Sequence, residues 1–235
     1  MNKLKITNFP PLDYAANEAL NTLCTNLSFT GQNQRKLLLT SCSASEGKSF
    51  VSMNMLRTLT KLGYSVALVD TDLRRSVIKS KYGIKFDKKE SNLGLAHYLA
   101  GMTDSVDDVL YETDMAGAYM IPVGREVSNP LPLFNTDRLP KLLNYLDEKL
   151  DFVIVDTAPI GTVIDAAKVA QHCDGALIVV SYDKVPRKEL IETKNLIEQT
   201  GCPVLGTVLN QVNMADIAAK KYYHGYYNKY YGKKK

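Results

Sequence analysis

The sequence predicts an α/β domain with a doubly wound, mostly parallel sheet flanked by helices. Three observations carry this. Six short apolar runs are nearly continuous in Val, Leu and Ile, as strands covered on both faces are. Helix-like segments separate most of these runs, the alternation that gives crossover-connected parallel strands. The 235 residues are 45% hydrophobic and 23% charged, which is enough apolar material for one sizeable core.

The elements follow in order. Residues 13–29 predict an N-terminal helix. The run 37–40 (LLLT) leads through a small-residue loop to a helix over 48–62. The run 65–70 (SVALVD) is a second buried strand. The stretch 76–135 is less regular, with loops around Asp87–Ser91 and Ser128–Pro132 and the run 118–123 (AYMIPV) inside it. A helix over 137–149 precedes the run 151–156 (DFVIVD). A helix over 163–172 precedes 175–181 (GALIVVS), and one over 187–200 precedes 203–210 (PVLGTVLN). Pro140 and Pro186 sit near helix starts, where a missing N–H costs little. The folded domain is expected to span 1–215, with 216–235 a flexible tyrosine-rich tail.

Bulk properties exclude several classes. No apolar run approaches the roughly 20 residues that span a bilayer. The start, MNKLKITNFPPLDYA, lacks a signal-peptide apolar stretch, so an intracellular, soluble chain is expected. The four cysteines form no CxxC pair and no metal-ligand spacing with the histidines, which argues against a zinc site or disulfide framework. The net charge of +4 is concentrated in the tail. Lys220, Lys221, Lys229, Lys233, Lys234 and Lys235 leave the remainder slightly acidic, so no basic nucleic-acid groove is indicated.

The loop Ser41-Cys42-Ser43-Ala44-Ser45-Glu46-Gly47-Lys48-Ser49 stands between a strand and a helix. That context gives a GK[ST] tripeptide its meaning. Small residues let successive backbone N–H groups turn inward around phosphate oxygens, and the following helix adds its positive end. The cradle comprises Ser43, Ala44, Ser45, Glu46, Gly47, Lys48, Ser49 and Phe50. Lys48 would reach the β- and γ-phosphates of ATP, and the Ser49 hydroxyl would coordinate Mg2+. The first glycine of the usual phosphate-loop pattern is replaced by Cys42. Without the context, a strand-to-helix turn capped by serine would explain the segment.

Two strand ends carry acids: Asp70 and Asp72 in LVDTDLR, Asp156 in VIVDTAP. Ligands bind beyond the carboxyl ends of strands in such sheets. Carboxylates there can hold magnesium, a hard cation that keeps several waters, or accept the proton of an attacking hydroxyl. A single Asp at a strand end more often caps a turn. Three of them beside a GKS loop point to function.

The GKS loop, Asp70-x-Asp72-x-Arg74 and Asp156-Thr-Ala-Pro159 resemble the motifs of the bacterial tyrosine kinases, P-loop kinases of capsule and exopolysaccharide synthesis. The similarity extends to the helix with Glu18-Ala19-Leu20, the Leu73–Ser76 segment, the stretch around Gly124 and Asn129-Pro130, and the tyrosine-rich end. It implies that Lys48 and Ser49 hold ATP and magnesium, that Asp72 and Asp156 assist the metal directly or through water, and that Asp70 is the base toward a tyrosine hydroxyl. It also implies an adenine contact for Asn210 and a phosphate- or substrate-positioning role for Arg74 and Arg75, although a solvated basic loop would explain them equally well. The related partitioning and division-site ATPases carry a lysine where this chain has Ser43. The family's subunit-ring motif has two arginines at the positions of Asn21 and Cys24 here, and neither residue can make their bidentate carboxylate contact. The resemblance further implies a transmembrane polysaccharide co-polymerase as activator, which would place the chain at the inner face of the plasma membrane.

The pairs Tyr222-Tyr223, Tyr226-Tyr227 and Tyr230-Tyr231 repeat every four residues among the tail lysines. They read as phosphoacceptors, since each phosphate adds about −1.5 to −2 charge and a few would overturn the basic tail. A basic, aromatic tail that binds an acidic surface or single-stranded nucleic acid is the blander alternative. Three functions remain open at this point: a tyrosine autokinase, a partitioning-type switch ATPase that controls assembly or membrane attachment, and a nucleotide-binding module without turnover.

Overall fold

A computed structural model describes residues 2–29, 34–87, 92–161 and 164–212. Nine strands form one sheet: β1 (Asn2–Ile6), β2 (Lys36–Ser41), β3 (Val66–Asp70), β4 (Ile84–Phe86), β5 (Tyr111–Glu112), β6 (Ala118–Ile121), β7 (Phe152–Asp156), β8 (Gly175–Ser181) and β9 (Val204–Asn210). Their order is β4-β1-β5-β6-β3-β7-β2-β8-β9. From β6 to β9 every pairing is parallel. The pairs β1–β4 and β5–β6 are antiparallel. The mostly parallel, doubly wound sheet is the expected one.

Eight α-helices and a 3-10 turn at Val106–Asp108 accompany the strands among the described residues: α1 (Tyr14–Ser28), α2 (Lys48–Lys61), α3 (Ile78–Lys81), α4 (Leu95–Leu99), α5 (Leu131–Phe134), α6 (Arg138–Lys149), α7 (Asp165–Ala170) and α8 (Arg187–Glu198). β2, β3, β7 and β8 are buried at nearly every position, which explains their unbroken apolar sequences. Two cores result. One, under α6 and α7, includes Leu142, Leu146, Val155 and Val169. The other, under α1 and α2, includes Cys24, Val51, Met55, Leu68 and Ile154. All four cysteines are buried free thiols.

The structure corrects the reading in two places. The first residues are a strand: Leu4 and Ile6 face the core while Lys3 and Lys5 face out, the period-2 alternation of a half-covered strand. The loop expected around Ser128–Pro132 gives way to a helical turn at Leu131, directly after Pro130. The interval read as irregular also holds the short elements β4, β5, α3 and α4. The 215/216 boundary and the tail tyrosines lie outside the described residues.

Candidate active site

The loop after β2 brings its backbone round through two left-handed residues, Ser45 (φ 65°) and Gly47 (φ 91°). Gly47 is required twice over. It caps α2 in a conformation that costs an L side chain energy, and a Cβ there would lie 2.0 Å from Asn210 Nδ2. Val51 N–H is bonded to Gly47 O. The N–H groups of Lys48, Ser49 and Phe50 therefore sit in the first turn, which has no intrahelical acceptors, and they form an anion-ready helix end.

Side chains brace the loop. Ser41 Oγ donates to Ser43 O (2.6 Å), and Ser43 N–H donates to Glu46 Oε2 (3.0 Å). Ser43 Oγ, at the position where the partitioning ATPases carry lysine, donates to Glu189 Oε1 on α8 (2.9 Å). From the end of β9, Asn210 Nδ2 donates to Glu46 O and Gln211 Nε2 to Ser45 O, both at 2.9 Å. Asn210 therefore reaches the loop, with its amide nitrogen committed to Glu46 O.

Asp156 ends β7 between two serines of α2. Ser49 Oγ donates to Oδ2 at 2.8 Å and Ser52 Oγ lies 2.7 Å from Oδ1. Asp70 ends β3 and is the register partner of Asp156, so the two carboxylates leave adjacent strands at the same edge. Ser76 Oγ donates to Asp70 Oδ2, and Asp72 N–H donates to Asp70 Oδ1 at 3.3 Å. Asp72 accepts from Arg75 N–H at 3.1 Å. Arg74 is engaged elsewhere: its guanidinium is paired with buried Asp165 and donates to Ser128 O (2.7 Å). This gives Arg74 the task of holding the loop after β3 against α7.

The electrostatics follow from burial. Asp70 and Asp156 are almost inaccessible, at 2% and 1% exposure. Burial pushes the Asp70 carboxyl well above the usual range, and the neighbouring Asp156 charge pushes it further. Burial raises Asp156 to about 6, against the lowering effect of Ser52, Lys48 and Ser49. Burial raises Asp72 as well. Lys48 is lowered by burial, while Asp156, Asp72 and Glu46 oppose the shift. The site thus holds one buried cation facing several carboxylates that are costly to ionise together.

A raised carboxylate pKa means that the native state binds its proton more tightly than the unfolded chain. The resulting stability is present at low pH and declines as pH rises from about 4 through about 6. In EDTA, Asp156→Asn is expected to stabilise the fold at pH 7.5 by roughly 1–3 kcal/mol and to change it little at pH 4. Thermal melts of both proteins across this range check it. A difference that does not vary with pH would contradict the burial argument.

Among the described residues, no three His, Cys, Asp or Glu side chains form a ready-made metal cage. Magnesium needs no such cage, because it keeps waters and shares phosphate oxygens. The adjacent Ser49 hydroxyl and Asp156 carboxylate are an oxygen pair that fits it. Sequence reasoning missed Ser52, Ser76, Glu189 and Gln211. Only Ser52 carried a signal, since it lies one helical turn after Lys48 and thus on the same face of α2.

Residues 44–200 match the family model described as an AAA domain. The tyrosine-protein kinase CpsD of Streptococcus pneumoniae is 34% identical over 220 residues, 93% of each chain. The kinase domain of the Escherichia coli tyrosine kinase ETK is 30% identical with a TM-score of 0.79, covering 88% of this chain and 81% of that one. The chimerical protein CapA2B2 is 25% identical with a TM-score of 0.76, covering 88% and 92%. The sheet and phosphate loop thus define a nucleotide-binding P-loop domain of the AAA class. Within that class the chain belongs to the bacterial tyrosine-protein kinases.

Proposed function

We propose that this kinase transfers the γ-phosphoryl group of ATP to tyrosines of its own C-terminal cluster and thereby regulates capsular or exopolysaccharide synthesis and export. The observation that carries the reading is the convergence at one sheet edge: Ser49 bonded to Asp156, and Asp70 aligned beside Asp156. Lys48 starts the helix that carries Ser49. Ser43–Phe50 cradle the phosphates, with Lys48 on the β- and γ-oxygens. Asn210 would contact the adenine. Ser49, Asp156 and Asp72 would hold magnesium, which would supply positive charge against the developing phosphoryl charge.

A tyrosine hydroxyl, with a pKa of about 10, is a poor nucleophile at neutral pH. Asp70 accepts its proton as the phenolic oxygen bonds to the γ-phosphorus and the bond to the ADP oxygen breaks. The raised proton affinity of Asp70 favours its keeping the proton that it accepts. The acceptors are Tyr222, Tyr223, Tyr226, Tyr227, Tyr230 and Tyr231. Phosphates on four of them would bring about −6 to −8 against six lysines, which would cancel or reverse the tail's positive charge.

The proposed activator is a transmembrane polysaccharide co-polymerase, which would hold the kinase at the inner face of the membrane. No helix among the described residues is long and apolar enough to cross one. Any homo-oligomer uses contacts other than the family's arginine pair, because Asn21 bonds Glu18 (3.4 Å) and Cys24 is fully buried.

Incubation with ATP and magnesium, with and without the co-expressed co-polymerase, tests the reading. Phosphotyrosine is expected, and more of it with the partner. ATP hydrolysis without phosphotyrosine would instead indicate a switch ATPase.

A further inference from the structure

Three non-glycine residues have left-handed backbone among the described residues: Ser45 (φ 65°), Asp183 (φ 56°) and Gln211 (φ 58°). Each carries a cost that glycine would avoid, and such strain gathers where function holds the chain in place. The three lie far apart in sequence and meet around one side chain. Gln211 Nε2 donates to Ser45 O at 2.9 Å. Gln211 Oε1 accepts from Ser181 Oγ at 3.0 Å and from Lys184 Nζ at 3.1 Å, the residues that bracket Asp183. One amide thus ties together the phosphate loop, the turn after β8 and the end of β9.

This bears on phosphate binding. In a trans peptide the carbonyl and the following N–H point in opposite directions. Holding Ser45 O toward the end of β9 therefore turns Glu46 N–H away from it. Asn210 does the same for Gly47 N–H, through Glu46 O at 2.9 Å. Neither N–H has a hydrogen-bond acceptor among the described residues. Successive N–H groups at left-handed turns form a concavity that takes an anion. Gln211 is also where the chain leaves the sheet. Val212 is the last described residue, and the tyrosine pairs follow from Tyr222. Displacing that exit would draw the amide off Ser45 O.

We propose that Gln211 is a positioning residue for nucleotide, and that its amide couples the phosphate loop to the root of the tyrosine tail. Gln211 acts through the Ser45–Glu46 peptide, whose N–H it aims at the phosphates. Coupling of this kind is reciprocal. A nucleotide that needs the loop in this form fastens the exit, and a partner that draws the exit away weakens nucleotide by the same factor. The inference rests on nucleotide binding at the loop and is independent of phosphoryl transfer to tyrosine.

Two variants of the full chain test it, by calorimetric titration with ADP and magnesium. Gln211→Met keeps the length of the side chain and loses the amide. Gln211→Gly loses the amide and relieves the backbone. Both are expected to raise the ADP dissociation constant about fivefold, the loss of one hydrogen bond. The glycine variant should melt at least as high as the methionine variant, so lost stability does not account for its weaker binding. The ATP KM for tyrosine phosphorylation should rise by the same factor with kcat retained, as the loss of binding common to ground and transition states requires. In amide-labelled wild type, ADP should shift the Val212 resonance, and in Gln211→Met that shift should vanish. An unchanged ADP dissociation constant in Gln211→Met would overturn the positioning role. A Val212 shift of equal size in both proteins would overturn the coupling. Wild type that binds ADP and makes no phosphotyrosine would remove the kinase reading alone, because the ADP titration and the Val212 resonance need no turnover.

Discussion

Lys48→Met will abolish phosphotyrosine formation, with a loss of at least about 10³-fold, while the chain stays folded. The magnitude follows from the position. Lys48 is 8% exposed at the first residue of α2, where, in the proposed mechanism, a fixed cation would face the transferring phosphoryl group in a low-dielectric site. Removing a single preorganised charge-stabilising group of this kind typically costs 10²–10³ or more in rate. Methionine keeps the volume and relieves the burial that lowers the Lys48 pKa, so the packing of α2 survives. The carboxylates lose their counter-charge, and Asp156 and Asp72 shift further upward. Anti-phosphotyrosine blots and thermal melts check the two halves. Labelling that persists at the wild-type rate would remove Lys48 from the mechanism.

The second large effect is expected in the tail. Phenylalanine at Tyr222, Tyr223, Tyr226, Tyr227, Tyr230 and Tyr231 will remove most of the autophosphorylation and leave ATP binding at its wild-type strength. The separation arises because the loop is braced by groups within the folded body, Glu189, Asn210 and Gln211. Each Tyr→Phe change deletes only a hydroxyl and preserves the aromatic and basic character of the tail. A purely electrostatic tail would keep binding acidic surfaces after these changes, whereas a phosphoacceptor tail would lose its label. Mass spectrometry of the labelled sites decides between them. Label that stays on the six-fold variant would place the acceptors elsewhere.

The central strands were legible because they are buried on both faces and so leave unbroken apolar runs. β1 was not, since only Leu4 and Ile6 of its five residues face the core. α3, α4 and α5 have four or five residues, too few for a helical period to emerge. They depend on tertiary partners instead. α4, for example, is fixed at its start by Leu95 N–H to Pro122 O and by Gly94 N–H to His97 Nδ1. The candidate site divides in the same way. Lys48, Ser49, Asp70, Asp72 and Asp156 stand at element boundaries that sequence can locate. The groups that brace the loop ahead of Lys48 come from distant parts of the chain. Gln211 is 166 positions from the Ser45 carbonyl it holds, and Glu189 is 146 from Ser43. Arg74, grouped by sequence with Asp70 and Asp72, is paired in the fold with Asp165.

Every step depends on Ser49, Asp156 and Lys48 meeting one magnesium-bound nucleotide at the end of β7. Calorimetric titration with ADP, in excess magnesium and then in EDTA, tests this most directly. One site per chain is expected, with binding at least about tenfold tighter when magnesium is present, as an added metal–phosphate bridge worth 1.4 kcal/mol or more requires. Asp156→Asn should erase most of that metal dependence. No heat with either solution, or equal affinity with and without magnesium, would contradict the account.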